Sequence, residues 1–153
     1  MKPTRRTATA IALLALATTG SGAEKKISRA DLPPAVEKTV AAESKGATIR
    51  GFSSEVEGGE LRYEVAMTVA GRGRDVSIAP DGRVLEIEEE IAWDALPAAV
   101  RQGLEKAAGG AKIAKVESLT REGKVVGYEA QVVAGSKRSE VQVGPDGKPA
   151  DRQ

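Results

Sequence analysis

The chain states one pattern twice. Leu32-Pro33-Pro34-Ala35-Val36 returns as Leu96-Pro97-Ala98-Ala99-Val100, and Gly46-Ala47-Thr48-Ile49 returns as Gly110-Ala111-Lys112-Ile113, each 64 residues later. Further on, Leu61-Arg62-Tyr63-Glu64-Val65 returns as Val126-Gly127-Tyr128-Glu129-Ala130, and Ala79-Pro80-Asp81-Gly82-Arg83 as Gly144-Pro145-Asp146-Gly147-Lys148, now 65 residues later. The change of offset is expected to reflect one residue gained in the loop before Glu122. Order, spacing and residue type kept together over this length point to an internal duplication. The fold must then be one that a small unit can build and double.

Each unit reads as a helix followed by a run of strands. The helices start at Pro33 and Pro97, since proline suits a first helical turn, where its missing N–H costs nothing. Leu32, Val36 and Val40 recur every four residues, as do Leu96, Val100 and Leu104, giving each helix one apolar stripe. Gly46 and the Gly109-Gly110 pair stop them. First strands are predicted over 49–56 and 113–120. In the second strands Leu61, Tyr63, Val65, Met67 and Val69 alternate with Arg62, Glu64, Ala66 and Thr68, and Val126, Tyr128, Ala130, Val132 and Ala134 with Gly127, Glu129, Gln131 and Val133. Period two with one apolar face means an antiparallel sheet covered on one side. Third strands bury Val76 with Ile78 and Val141 with Val143. A Pro-Asp-Gly turn follows each. A fourth strand, 84–89, follows only in the first unit, with Leu85 and Ile87 inward.

The expected fold is therefore α+β: tandem helix plus antiparallel β-meander repeats, over 24–90 and 91–153, with the helices packed on one face of a shared sheet. One unit alone would have a marginal core. The link Glu90-Ile91-Ala92-Trp93-Asp94-Ala95 has no flexible Gly/Ser run, and Trp93, the single tryptophan, is expected to wedge the joint as a packing residue.

Residues 1–23 read as a cleavable signal peptide. Lys2, Arg5 and Arg6 precede the apolar run Ala8–Ala17, and Ser21-Gly22-Ala23 are small residues of the kind a signal peptidase reads. The run is too short to span a bilayer. The other reading is an N-terminal anchor. Arg5-Arg6 leaves twin-arginine export open beside the general route. Cleavage near Ala23 would leave 130 of the 153 residues, with 20 of the 23 basic groups and all 22 acidic ones. We expect a periplasmic or secreted protein without a transmembrane segment in its mature chain.

The chain has no His and no Cys. That removes an imidazole base, a thiolate nucleophile, Cys/His zinc sites and iron–sulfur clusters. A formal net charge of +1 argues against nucleic acid, whose partners carry a strong basic excess. No Ser-x-x-Lys or other nucleophile pattern is present. The expectation is a non-enzyme with no cofactor and no metal.

The set Leu-Pro-x-Ala-Val, Gly-Ala-x-Ile, Tyr-Glu-Val and Pro-Asp-Gly-Arg resembles the PepSY-like family, also described as β-lactamase-inhibitor-like. The carriers are Leu32, Pro33, Val36, Gly46, Ile49, Tyr63, Glu64, Val65, Asp81 and Gly82, then Leu96, Pro97, Val100, Gly110, Ile113, Tyr128, Glu129, Asp146 and Gly147. The resemblance spans almost all of the mature chain as two copies. It implies an exported domain that binds or inhibits a protein, through a concave joined sheet as in β-lactamase inhibitory proteins. Two departures stand out: the second copy ends without a full fourth strand, and the outward sheet face is poor in aromatics.

Candidate partner-binding residues are the outward set Arg62, Glu64, Thr68, Glu129 and Gln131, and two basic hairpin tips, Arg72 with Arg74 and Lys137 with Arg138. The favoured function is protein binding, extending to inhibition of a protease or other hydrolase. The alternative is a structural or sensory envelope protein whose basic tips meet anionic lipid or small ligands. Glu86, Glu88, Glu89 and Glu90 read as solvated edge charge. Asp81 and Asp146 are explained by their turns. Strand 139–143 has no expected outer neighbour, so it is open to strand pairing with a peptide or second subunit unless Ala150–Gln153 covers it.

Overall fold

A computed structural model describes residues 23–150. The expected signal peptide, apart from Ala23, lies outside the described residues. The order is β1 (Lys25–Ile27), α1 (Pro34–Glu43), β2 (Thr48–Glu57), β3 (Glu60–Val69), β4 (Arg72–Ile78), β5 (Val84–Glu90), α2 (Ala98–Ala108), β6 (Lys112–Arg121), β7 (Lys124–Ala134) and β8 (Lys137–Val143). The strands form one antiparallel sheet in the order β1 to β8, so the joint between the halves is a strand pair, β5 with β6. Among the described residues no helix is long and apolar enough to cross a membrane.

Both helices lie on the same face because both stripes and the inward rows of the strands are apolar. Val36 and Val40 of α1 meet Val65, Met67, Val76 and Ile78, while Leu96, Val100 and Leu104 meet Val116, Ala130, Val132 and Val143. Tyr63 and Tyr128 pack at the borders of these two cores. Pro33 and Pro97 are N-caps, so each helix starts one residue later than expected. Gly109 ends α2 in the left-handed conformation, with φ 58°.

α1 ends differently. It has no basic residue in its last turn, and its C-cap is Ser44. Arg74 of β4 supplies the missing donors: its guanidinium bonds the Glu43 carbonyl at 3.0 Å and the Glu43 carboxylate at 2.8 Å. Glu89 of β5 lies 3.1 Å from its Nε. Arg74→Ala is expected to cost about 1–2 kcal/mol, because a half-buried helix end loses its partners. Urea unfolding measures this directly; a change under 0.5 kcal/mol would make the contact ornamental.

Three expectations are corrected. β1 was not anticipated; three residues are too few to show a period, yet Ile27 pairs with Phe52. Leu85 does not face inward as a regular strand residue: Ser77 pairs with Glu86 and Ile78 with Val84, which leaves Leu85 as the extra residue of a bulge. Val84 and Ile87 pack against the core instead. Finally, the glutamate run is not at an edge, since β5 is an interior strand.

Candidate functional site

The face of the sheet opposite the helices carries the polar rows. Pairing fixes which side chains meet there. Ser53, Glu64, Ser77 and Glu86 form one row across β2 to β5, from their register. Ala66, Asp75, Glu88, Leu119 and Gly127 form the next, across β3 to β7. Gly73, Glu90, Glu117, Glu129 and Gln142 belong to a third. This face is recessed rather than open. Glu117 is 3% exposed, Ser53 6% and Glu129 8%.

Burying so many carboxylates has an electrostatic consequence. Burial, reinforced by Glu129, Glu117, Glu86 and Glu64, pushes the Glu88 carboxyl up to about 8. Burial with repulsion from Asp75 pushes Glu64 up to about 7. Burial also raises Glu129, against the hydrogen bond that its carboxylate accepts from the Gln142 amide. Three cations offset the charge, one of them Arg121, whose Nε lies 2.6 Å from the Glu86 carboxylate. The Arg50 guanidinium, re-aimed by a bulge in β2, lies 3.0 Å from Asp75. Lys115 donates to Glu117 at 2.7 Å. Burial pulls the Lys115 ammonium down, but Glu117 outweighs it and holds the pKa above its usual value.

Asp75, Glu88 and Glu117 bring one oxygen each within 4.8 Å of one another, the one described group that could hold a cation. They lie on β4, β5 and β6, so they straddle the joint between the halves. Sequence reasoning missed them. The alternation of Val76 and Ile78 does place Asp75 outward, and the β4–β5 register sets Glu88 opposite it, but only the β5–β6 register brings Glu117 to the pair.

The residues expected to bind a partner fall into separate groups. Arg62, Glu64 and Thr68 on β3 share the recessed face with Glu129 and Gln131 on β7, four strands or roughly 19 Å away. Arg62 is ion-paired with Glu57. The two basic tips are not loops: Arg72 and Arg74 lie in β4, and Lys137 and Arg138 in β8. Strand pairing extends almost to the turns, and Arg74 is committed to α1 and β5. Arg72, Lys137 and Arg138 stand exposed. Among the described residues the outer side of β8 is covered only at its end, where Val143 bridges to Pro149 and the Ala150 N–H reaches the Gln142 carbonyl at 3.5 Å; the rest of the expected cover, residues 151–153, lies outside the described residues. Both turn aspartates accept from a backbone N–H two residues on, as turn chemistry requires.

Solved structures share this fold. A BLIP-like protein from Bacteroides fragilis matches with a TM-score of 0.56 at 19% identity, over 80% of this chain and 85% of that one. This chain has a BLIP-like fold. A DUF2874 family protein from Bacteroides ovatus matches with a TM-score of 0.60 at 15% identity, over 79% and 86%. A Bacteroides eggerthii protein described as periplasmic matches with a TM-score of 0.63 at 16% identity, over 80% and 88%. At these identities the likeness to BLIP-like proteins is one of fold. No protein-family model and no curated protein sequence matches the chain.

Proposed function

We propose that this chain is an exported, non-enzymatic protein-binding module whose recessed sheet face is its recognition surface, and that the partner is a protease or other hydrolase which it inhibits. The observation that carries this reading is the uncovered face itself. Seven carboxylates, Glu64, Asp75, Glu86, Glu88, Glu90, Glu117 and Glu129, line the side of the sheet opposite to the one on which both helices pack. Buried carboxylates cost stability, and a core needs none of them. A binding surface does need such groups, because charged rows select partners and exclude wrong ones. The BLIP-like fold and the periplasmic description of one neighbour support the same reading. We take 24–90 and 91–153 to be two PepSY-like copies, each giving half of the face, and residues 1–23 to be the export signal.

The test uses the chain without residues 1–23 as bait in a cell-envelope extract. The expected catch is a hydrolase in one-to-one stoichiometry, whose purified activity falls as the chain is added. Thr68→Arg and Gln131→Arg, which place bulk and charge on the face, should each weaken capture at least tenfold with the circular dichroism unchanged. The proposal fails if both variants capture as well as the parent. It also fails if anionic vesicles retain the chain through Arg72, Lys137 and Arg138 while no protein is held.

A further inference from the structure

The corner between the two halves is built differently from its counterpart 64 residues earlier. At the end of β5 the link folds through Trp93, against the C-terminal turn of α2 and the start of β6. A groove of about 550 Å3 opens there, within the range of roughly 300–1,000 Å3 typical of ligand sites. Trp93, Ala108, Ala111 and Ile113 line it. At the earlier corner, Arg29 stands in place of Trp93 and reaches Glu37 at 2.6 Å, while Phe52 stands in place of Val116 and packs into the first core. Moving the aromatic bulk from the strand to the link leaves a smaller Val116 under the second corner. Trp93 packs against the second core, as expected of it, and also presents a wall of the groove.

The rim decides what such a groove accepts. Glu105 lies on it, together with Lys115 and with Glu90, whose carboxylate also accepts from the Gly73 N–H on the polar face. Lys115 is neutralised by Glu117 at 2.7 Å. The last turn of α2 adds the partial negative charge of its carbonyls, ending at Gly109. An apolar floor with an indole wall favours an aliphatic or aromatic side chain, and the acidic rim favours a cation beside it.

We propose that this groove binds a segment of a partner protein that presents an apolar side chain next to an arginine or lysine. This deepens the function proposed above, and rests on it only in taking the partner to be a protein. Because Trp93 is the single tryptophan, its emission reports occupancy without a label. The probe is the blocked tetrapeptide acetyl-Gly-Leu-Arg-Gly-amide, titrated into the chain at low salt. A saturable change in emission is expected, at least tenfold weaker when Leu is replaced by Ser or Arg by Glu. Raising the salt to 0.5 M should weaken the Arg peptide several-fold.

Ala111→Leu fills the groove and should abolish saturation with melting unchanged. Glu105→Gln, at an exposed helix position, should weaken binding about threefold even if the first variant folds poorly. Equal responses to the Arg and Glu peptides would overturn the proposal, as would saturation that survives Ala111→Leu. A chain that binds the peptide yet captures no hydrolase keeps the groove and loses the sheet-face reading. A chain that captures its partner equally with and without Ala111→Leu keeps the face and loses the groove.

Discussion

Gly103→Ala will destabilise the chain by about 3 kcal/mol, although alanine is the better helix former by about 1 kcal/mol. The reason is a close approach between α2 and the turn after β8. A Cβ on Gly103 would overlap the carbonyl of Gly147, and a Cβ on Gly147 would overlap the carbonyl of Ala99. Gly147 also holds a φ of 76°, which disfavours any side chain. Backbone on both sides leaves nothing flexible to yield. The first half makes the same helix–turn contact in another way. Thr39, 64 residues before Gly103, donates its hydroxyl to the Gly82 carbonyl at 2.6 Å, so a side chain fills what is closed space in the second half. Gly82 itself is restricted, since a Cβ there would lie 2.6 Å from the Ala35 carbonyl at a φ of 88°. Thr39→Ala should therefore cost only about 1 kcal/mol, one hydrogen bond. Thermal melts should show a drop of about 10 °C for Gly103→Ala and a few degrees for Thr39→Ala. A neutral or stabilising Gly103→Ala would mean that α2 sits farther from the turn than described.

What was legible in the sequence, and what was not, follows from how each feature is encoded. Both helices, every hairpin from β2 to β8 and the choice of buried face were readable, because period and turn chemistry are local signals. Leu32-Pro33 and Leu96-Pro97 mark two starts, and Pro80-Asp81-Gly82 and Pro145-Asp146-Gly147 mark two turns. The bulges at Arg50, Leu85, Ala114 and Val126 were not readable, since an extra residue in one strand exists only relative to its partner; Val126, expected on the apolar row, is the residue that the second unit gains, in β7 and not in the loop before Glu122. Those bulges matter for the site. The bulge at Arg50 turns its guanidinium onto Asp75, and the one at Leu85 puts Val84 into the core. The acidic cluster was illegible for a related reason. Glu88 and Glu90 belong to one half, Glu117 and Glu129 to the other, and the register of β5 on β6 alone sets Glu88 opposite Leu119 and Glu90 opposite Glu117. Composition showed the glutamates, but not that an interior strand carried them.

Raising the pH from 5 to 8.5 will weaken the fold, and Glu88→Gln will remove much of that dependence. Glu88 faces Glu64 from β3, Asp75 from β4, Glu86 and Glu90 along its own strand, Glu117 beside Leu119 from β6, and Glu129 from β7. The compensating cations are Arg50 on Asp75, Lys115 on Glu117 and Arg121 on Glu86. None of these ion pairs includes Glu88. Its pKa is raised from 4.5 to about 8 in the folded chain, first by burial and then by Glu129, Glu117, Glu86 and Glu64. A raised carboxyl pKa means that the folded state holds the proton more tightly than the unfolded one. The folded state therefore binds more protons between about pH 4.5 and 8, and stability falls as pH rises through that window. Glu64, raised to about 7, adds to the fall over a narrower range. Glutamine keeps the shape of the protonated acid and cannot ionise. At pH 8.5 Glu88→Gln should be more stable than the parent by on the order of 2 kcal/mol, and at pH 5 nearly equal to it. Chemical denaturation at the two pH values, parent beside variant, separates the curves. Because Asp75, Glu88 and Glu117 straddle the β5–β6 joint, amide exchange at that joint should also quicken as pH rises, beyond the intrinsic chemical rate, and Glu88→Gln should suppress the excess. Parallel pH curves for parent and variant would mean that Glu88 is solvated and that its neighbours do not share its field.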